Sequence, residues 1–255
     1  MLIQRGDDRS QHLDRRLAFI LAAVAGSLNA AAFHAVGFFS ANMTGNVSTL
    51  SSLIAMGEWL HGLGYLVIVL AFVLGAALSA LTVDVGLRRG VDTIYARIIL
   101  AEAVMLVLLA LARLGMERAR GVPLLIVGLS FLMGLQNAIV THISQARVRT
   151  THVSGMATDL GIGLGRLLAM ARGRGAATAD GDRDGGGEER AAILLKLRLH
   201  AGTIACFLLG GVLGVLGWRW CGDLAMALSA LPLFGVGLAG LLGASPSSRE
   251  NPAAN

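Results

Sequence analysis

Two polar residues of a kind that apolar helices rarely carry, Asn29 and His34, recur as Asn137 and His142, each 108 residues later. Small residues recur with them: Ala22, Gly26 and Ala30 answer to Ser130, Gly134 and Ala138. Just beyond each segment comes a polar interruption, "ANMTGN" from Ala41 and "THVSG" from Thr151, in which Met43-Thr44-Gly45 pairs with Val153-Ser154-Gly155 at a spacing of 110. Asn, Thr, Ser and Gly favour turns and helix caps. A hydroxyl there can cap the free N–H groups of the helix that follows, and glycine admits close approach of a backbone or a ligand. The uncovered helix start is a partial positive charge suited to an anion or a carbonyl oxygen. Thr44, Asn46, Thr151 and Ser154 are therefore the expected solute-binding groups; the plainer reading is that Thr44 and Ser154 only cap their helices.

Asn29, Gln136 and Asn137 are expected to line a pathway, against the plainer role of interhelical hydrogen bonding. Asp159, five residues after Ser154, is the expected proton-coupling residue, because a carboxylate inside a membrane needs a cavity or a partner. Its plainer roles are a charge near a helix start or a pair with Arg166. Glu102 reads more weakly, since it sits near a helix start and could reach water beside Arg97. His142 and His152 bracket Arg147 and Arg149 and read first as interfacial anchors, second as a proton relay. Their spacing makes no zinc site, and "GIGLG" from Gly161 follows no strand and lacks the third glycine of a dinucleotide loop.

These groups must be positioned by membrane helices. Hydrophobic residues make up 55% of the chain and charged residues 15%, with a mean hydropathy of +0.69. Charge-free windows run over 17–57, 59–83, 121–146, 199–218 and 224–248, each long enough for a bilayer crossing. A further candidate, 96–114, carries Arg97, Glu102 and Arg113. Long helices are expected at 17–39, 63–87, 96–114, 121–146, 199–218 and 224–243, and shorter ones at 44–57 and 153–169. The net charge of +5 does not point to nucleic acid, since the basic residues gather at span ends. Cys206 and Cys221 show no metal spacing and imply no disulfide. The sequons at Asn42 and Asn46 abut apolar spans and carry little weight. Leu17 to Ala32 mimics a signal peptide, but a long polar segment precedes it. No cofactor is expected, and the lipid bilayer is the first partner.

Two repeats follow, 17–114 and 121–243, flanked by a cytoplasmic segment 1–16 and a tail 244–255. The stretch 172–190, rich in Gly, Asp and Arg, reads as a disordered cytoplasmic loop. With both termini inside, six spans place more of the 21 basic residues on the inside than eight spans do. Six spans also give three per repeat, so the repeats are inverted and their breaks enter from opposite sides. The expected fold is all-α and polytopic, with a short discontinuous or re-entrant helix in each repeat. Small-residue stripes at Ala71, Gly75 and Ser79 and at Gly202, Cys206, Gly210 and Gly214 serve close packing or dimerisation equally.

The blocks "NMTGN", "MGLQNA" and "THVSGMATDLGIGLGR" resemble the signature blocks of the YoaK-like family of bacterial membrane proteins, over roughly 15–242. The resemblance implies an inner-membrane protein of about six spans and names no substrate. Members often carry a second Thr where this chain has Ser154, a swap that keeps the hydroxyl. The function expected is a secondary transporter or permease for a small polar or anionic solute, with proton coupling; the alternative is a non-transporting scaffold. No HExxH or Gly-x-Ser-x-Gly motif points to an enzyme, and no ATP-binding motif to a pump.

Overall fold

The structure, a computed structural model, describes residues 11–144, 150–176 and 185–243. These form helices α1 (Gln11–Val36), α2 (Met43–Ala55), α3 (Trp59–Arg88), α4 (Ile94–Leu114), α5 (Arg118–Ile143), α6 (Val153–Ala176), α7 (Gly185–Cys221), α8 (Leu224–Leu228) and α9 (Leu231–Leu242). Six spans are long and apolar enough to cross a membrane: α1, α3, α4, α5, α7 and the α8–α9 unit. The chain is a multi-pass membrane protein. Its outer surface is apolar, with Leu70, Leu74, Leu81, Leu208, Leu213 and Leu242 facing outward, as lipid contact requires.

Close packing sets the helix directions. A Cβ on Gly26 would collide with the backbone carbonyl of Phe207, and one on Gly210 with that of Ala23. Further along, Phe19 faces Gly202 and Ser27 faces Gly214, and the rings of His34 and Trp218 meet at 5.9 Å. Helices α1 and α7 therefore run parallel. The same crossing recurs in α3 and α5, where Gly134 abuts the Phe72 carbonyl and Gly75 that of Phe131. Each glycine lets two backbones meet, which in lipid supplies most of the packing energy.

The two crossings are one design used twice. Gly26 maps to Gly134 at 108 residues, while Phe72, Gly75 and Ser79 map to Phe207, Gly210 and Gly214 at 135. Helix α4 runs antiparallel to α9: Gly237 packs on Leu100 and Ala96, while Arg113 pairs with Asp223 at 3.7 Å, just ahead of α8. Eight full crossings would make these two spans parallel. The antiparallel pair demands six crossings and an inverted second half. We call the side where α1 begins the near face and the side where it ends the far face.

Several boundaries differ from the sequence expectation. Helix α1 starts inside the expected N-terminal segment, and α7 starts at Gly185 rather than near Leu199. The expected loop 172–190 is largely helix, the end of α6 and the start of α7, leaving 177–184 outside the described residues. Glycine, Arg and Asp suggested a coil there, but α6 and α7 lie side by side, with Gly163 against Leu197, and neighbouring helices extend one another past the apolar layer. The last span is interrupted at Ser229 and Ala230. The expected tail 244–255, and Arg147 and Arg149, lie outside the described residues.

Candidate functional site

Both polar interruptions turn back into the bundle. The N–H of Gly37, where φ is +78°, donates to the Phe33 carbonyl at 2.8 Å, and the chain reverses there as few residues but glycine can. It then descends along α1. Phe39 stacks on Phe33 at 4.2 Å, and the Ala41 N–H donates to Asn29 Oδ1 at 2.9 Å. Seven helical residues separate Asn29 from the end of α1, so the segment dips roughly 10 Å below the far face. Helix α2 climbs back, packing Leu50 and Leu53 against Gly62 of α3. It is re-entrant, not spanning.

The second half repeats this from the near face. Thr151 Oγ1 donates to Asn137 Oδ1 at 2.7 Å, and Asn137 Nδ2 donates to the Met133 carbonyl at 2.8 Å. Asn29 and Asn137 thus hold residues 41 and 151, themselves 110 apart. Helix α6 then returns along α7 to the near face. It is longer than α2 and carries Asp159, Arg166, Arg172 and Arg174, which explains why it is not among the spans.

The caps correct the sequence expectation. Asn42, not Thr44, caps α2, accepting from the Gly45 N–H at 3.1 Å. Thr44 lies inside the helix and is exposed, as is Ser154 in α6. Asn46 is buried, and its Nδ2 donates to the Phe39 carbonyl at 3.3 Å. It braces the break. Thr151 is half-buried and committed to Asn137.

Asp159 pairs with Lys196 at 3.2 Å and with His200 at 3.6 Å, not with Arg166. Lys196 lies just outside the charge-free window of α7, so this triad marks the near-face edge of the apolar layer. His142 and His152 are exposed.

The groups that lack partners are elsewhere. Among the described residues, Gln136 is fully buried with neither amide atom bonded, and Glu102 is 1% exposed with neither carboxylate oxygen bonded. The hydroxyls of Ser40, Ser79, Ser130 and Thr150 are also buried and unbonded. Arg97, which the sequence set beside Glu102, is exposed and donates from Nε to Thr93 Oγ1 at 3.1 Å. Ser40 and Thr150 are 110 apart, equivalent positions directly ahead of Ala41 and Thr151. The repeat spacing already in hand contains that pair; Ser79 is legible only as the polar member of its stripe. Buried polar groups normally find partners, so each member of this set stands out inside the bundle.

A family model described as a protein of unknown function (DUF1275) matches residues 17–239, nearly the whole bundle. No curated protein and no solved structure matches the chain.

Proposed function

The chain belongs to the DUF1275 family, as its three signature blocks suggested, and from that premise we propose that it is a secondary transporter or permease for a small polar or anionic solute. One observation carries the reading: two equivalent re-entrant segments, dipping from opposite faces of an inverted repeat, each bring a helix start into the bundle. Non-helical backbone at membrane depth is tolerated where it is buried or lines a wet path. Half-helix starts at the interface of inverted repeats suit an anionic or carbonyl-bearing solute and the rocking of one repeat against the other.

In this reading Ser40 and Thr150 join Thr44, Asn46, Thr151 and Ser154 as the solute's hydrogen-bonding partners. Asn29 and Asn137 position the two breaks, and Gln136 lines the path between them. The near face is cytoplasmic, with both termini, in a bacterial inner membrane; the basic residues of α6 and the start of α7 support that orientation. The Asp159–Lys196–His200 cluster stands at the cytoplasmic mouth, where an ion pair can break and reform as the path opens.

The test is a thermal-shift screen of small carboxylic acids and polar metabolites on the purified protein, beside Ser154→Ala and Asp159→Asn. A solute at a hundredfold its Kd should stabilise the wild type by about 2.7 kcal/mol and both variants less, and should enter proteoliposomes carrying the protein. Failure of every solute, with both variants merely melting earlier, sinks the transport reading in favour of a scaffold.

A further inference from the structure

We propose that Glu102 is a proton-binding site in the middle of the bundle, near the depth of Gln136, an amide that can serve it in either protonation state. This deepens the transport reading by naming its coupling ion, and it gives Glu102 the role that the sequence gave Asp159.

The placement follows from helix register. Helices α4 and α5 are antiparallel, with Leu109 against Gly128 and Arg113 against Gly121. Continued inward, that register sets residue 102 opposite 132–135 of α5, within about a turn of Gln136. Helical phase puts Glu102 on the side of α4 that Leu109 and Arg113 share, which faces α5. Gln136 lies toward the Gly128 side of α5. On α3, Gly75 rests against Phe131 and Leu135, so Ser79, one turn on, reaches about the same depth. All three side chains are buried, and none has a bonded partner among the described residues.

Among the described residues, no charged group is placed to offset this carboxyl. Helices α8 and α9 carry no ionisable residue. Helix α5 carries Arg118 and Arg120 in its first turn and exposed His142 near its end. On helix α3, Asp84 lies about a turn and a half from Ser79 and is paired with Arg88 at 2.8 Å, while His61 and Tyr65 lie farther off. On α4 itself, Arg97 turns away to Thr93, Tyr95 is about two turns away, and Arg113 is held by Asp223. A buried carboxylate without a counter-charge is strongly disfavoured, whereas the protonated acid is tolerated. The group therefore binds a proton and gives it up only when water or a ligand arrives.

Gln136 suits both states. Its amide carbonyl can accept from the acid, and its N–H groups can donate to the carboxylate left after the proton departs, once a side-chain movement brings the two together. The Ser79 hydroxyl has the same versatility. The reaction is one proton leaving the Glu102 oxygen for water, with no other bond made or broken.

The experiment uses the full chain in liposomes, labelled with dicyclohexylcarbodiimide, which attacks protonated carboxyls in apolar surroundings, and mapped by mass spectrometry. The proposal expects label on Glu102 that falls at least tenfold as the pH is raised through one titration. Infrared spectroscopy should show a carboxylic-acid C=O band that shifts in D2O and is missing from Glu102→Gln. Label on Asp159 instead of Glu102, no label, or label on Glu102 indifferent to pH would each overturn it. A mapped peptide from the wild type decides the point even if the variant folds poorly. The transport reading is judged separately by the solute screen, which can succeed while Glu102 stays inert.

Discussion

Asn29 and Asn137 look alike in sequence, as polar residues beside stripes of small ones, and each turns out to hold the descending strand of its own half. Their bonds differ in kind, to a backbone N–H in the first half and to a threonine hydroxyl in the second. The second pair can therefore be measured by itself. A double-mutant cycle of Asn137→Ala with Thr151→Val, read by unfolding in detergent, should give a coupling of about 0.5–1.5 kcal/mol; additive losses would mean that Asn137 does not hold the break. Glu102 shows where residue-level reading failed. Arg97 is five positions away, which on a helix is more than a third of a turn around the axis, so closeness in sequence offered Glu102 no partner. Ser40 and Thr150 also share the 110-residue spacing, yet Ser and Thr are common beside turns and by themselves carry little signal.

At the scale of helices, the duplication was legible in α1 and α5 but stopped there. Helices α3 and α7 align at a different spacing, 135 residues, because α6 and the start of α7 are longer than their counterparts. The stripes at Ala71, Gly75 and Ser79 and at Cys206, Gly210 and Gly214 are the same stripe, a match that only the paired crossings make plain. Since a methyl on Gly26 or on Gly134 would strike a backbone carbonyl that a side-chain rotation cannot clear, Gly26→Ala and Gly134→Ala should each destabilise the protein. A loss of about 1–3 kcal/mol is expected for each, seen as a lower Tm in detergent. Near-equal penalties would fit the symmetry, and no change in either would contradict the close crossing. The expected caps at Thr44 and Ser154 fail because each residue lies inside its helix, at the second helical position. A capping side chain must stand outside the helix it caps, and Asn42, two residues earlier, already stands there.

Over the whole molecule, composition and charge-free length were enough for an all-helical membrane protein of six spans, because a bilayer leaves little other choice. Inversion of the halves was an inference from counting positive charges, and the antiparallel pairing of α4 with α9 now supplies it with geometry. The pathway was only partly legible. The breaks announced themselves by residue type, while the unpartnered groups between them depend on helix phase and register, which no single sequence exposes. The most direct test of the account labels Thr44→Cys and Ser154→Cys, in a background lacking Cys206 and Cys221, with a membrane-impermeant thiol reagent applied to right-side-out and to inside-out vesicles. The account predicts that Thr44→Cys reacts from the outside and Ser154→Cys from the inside, as two wet openings on opposite faces require. Reaction of both from one side would contradict the inverted architecture, and reaction of neither would contradict a path through the breaks.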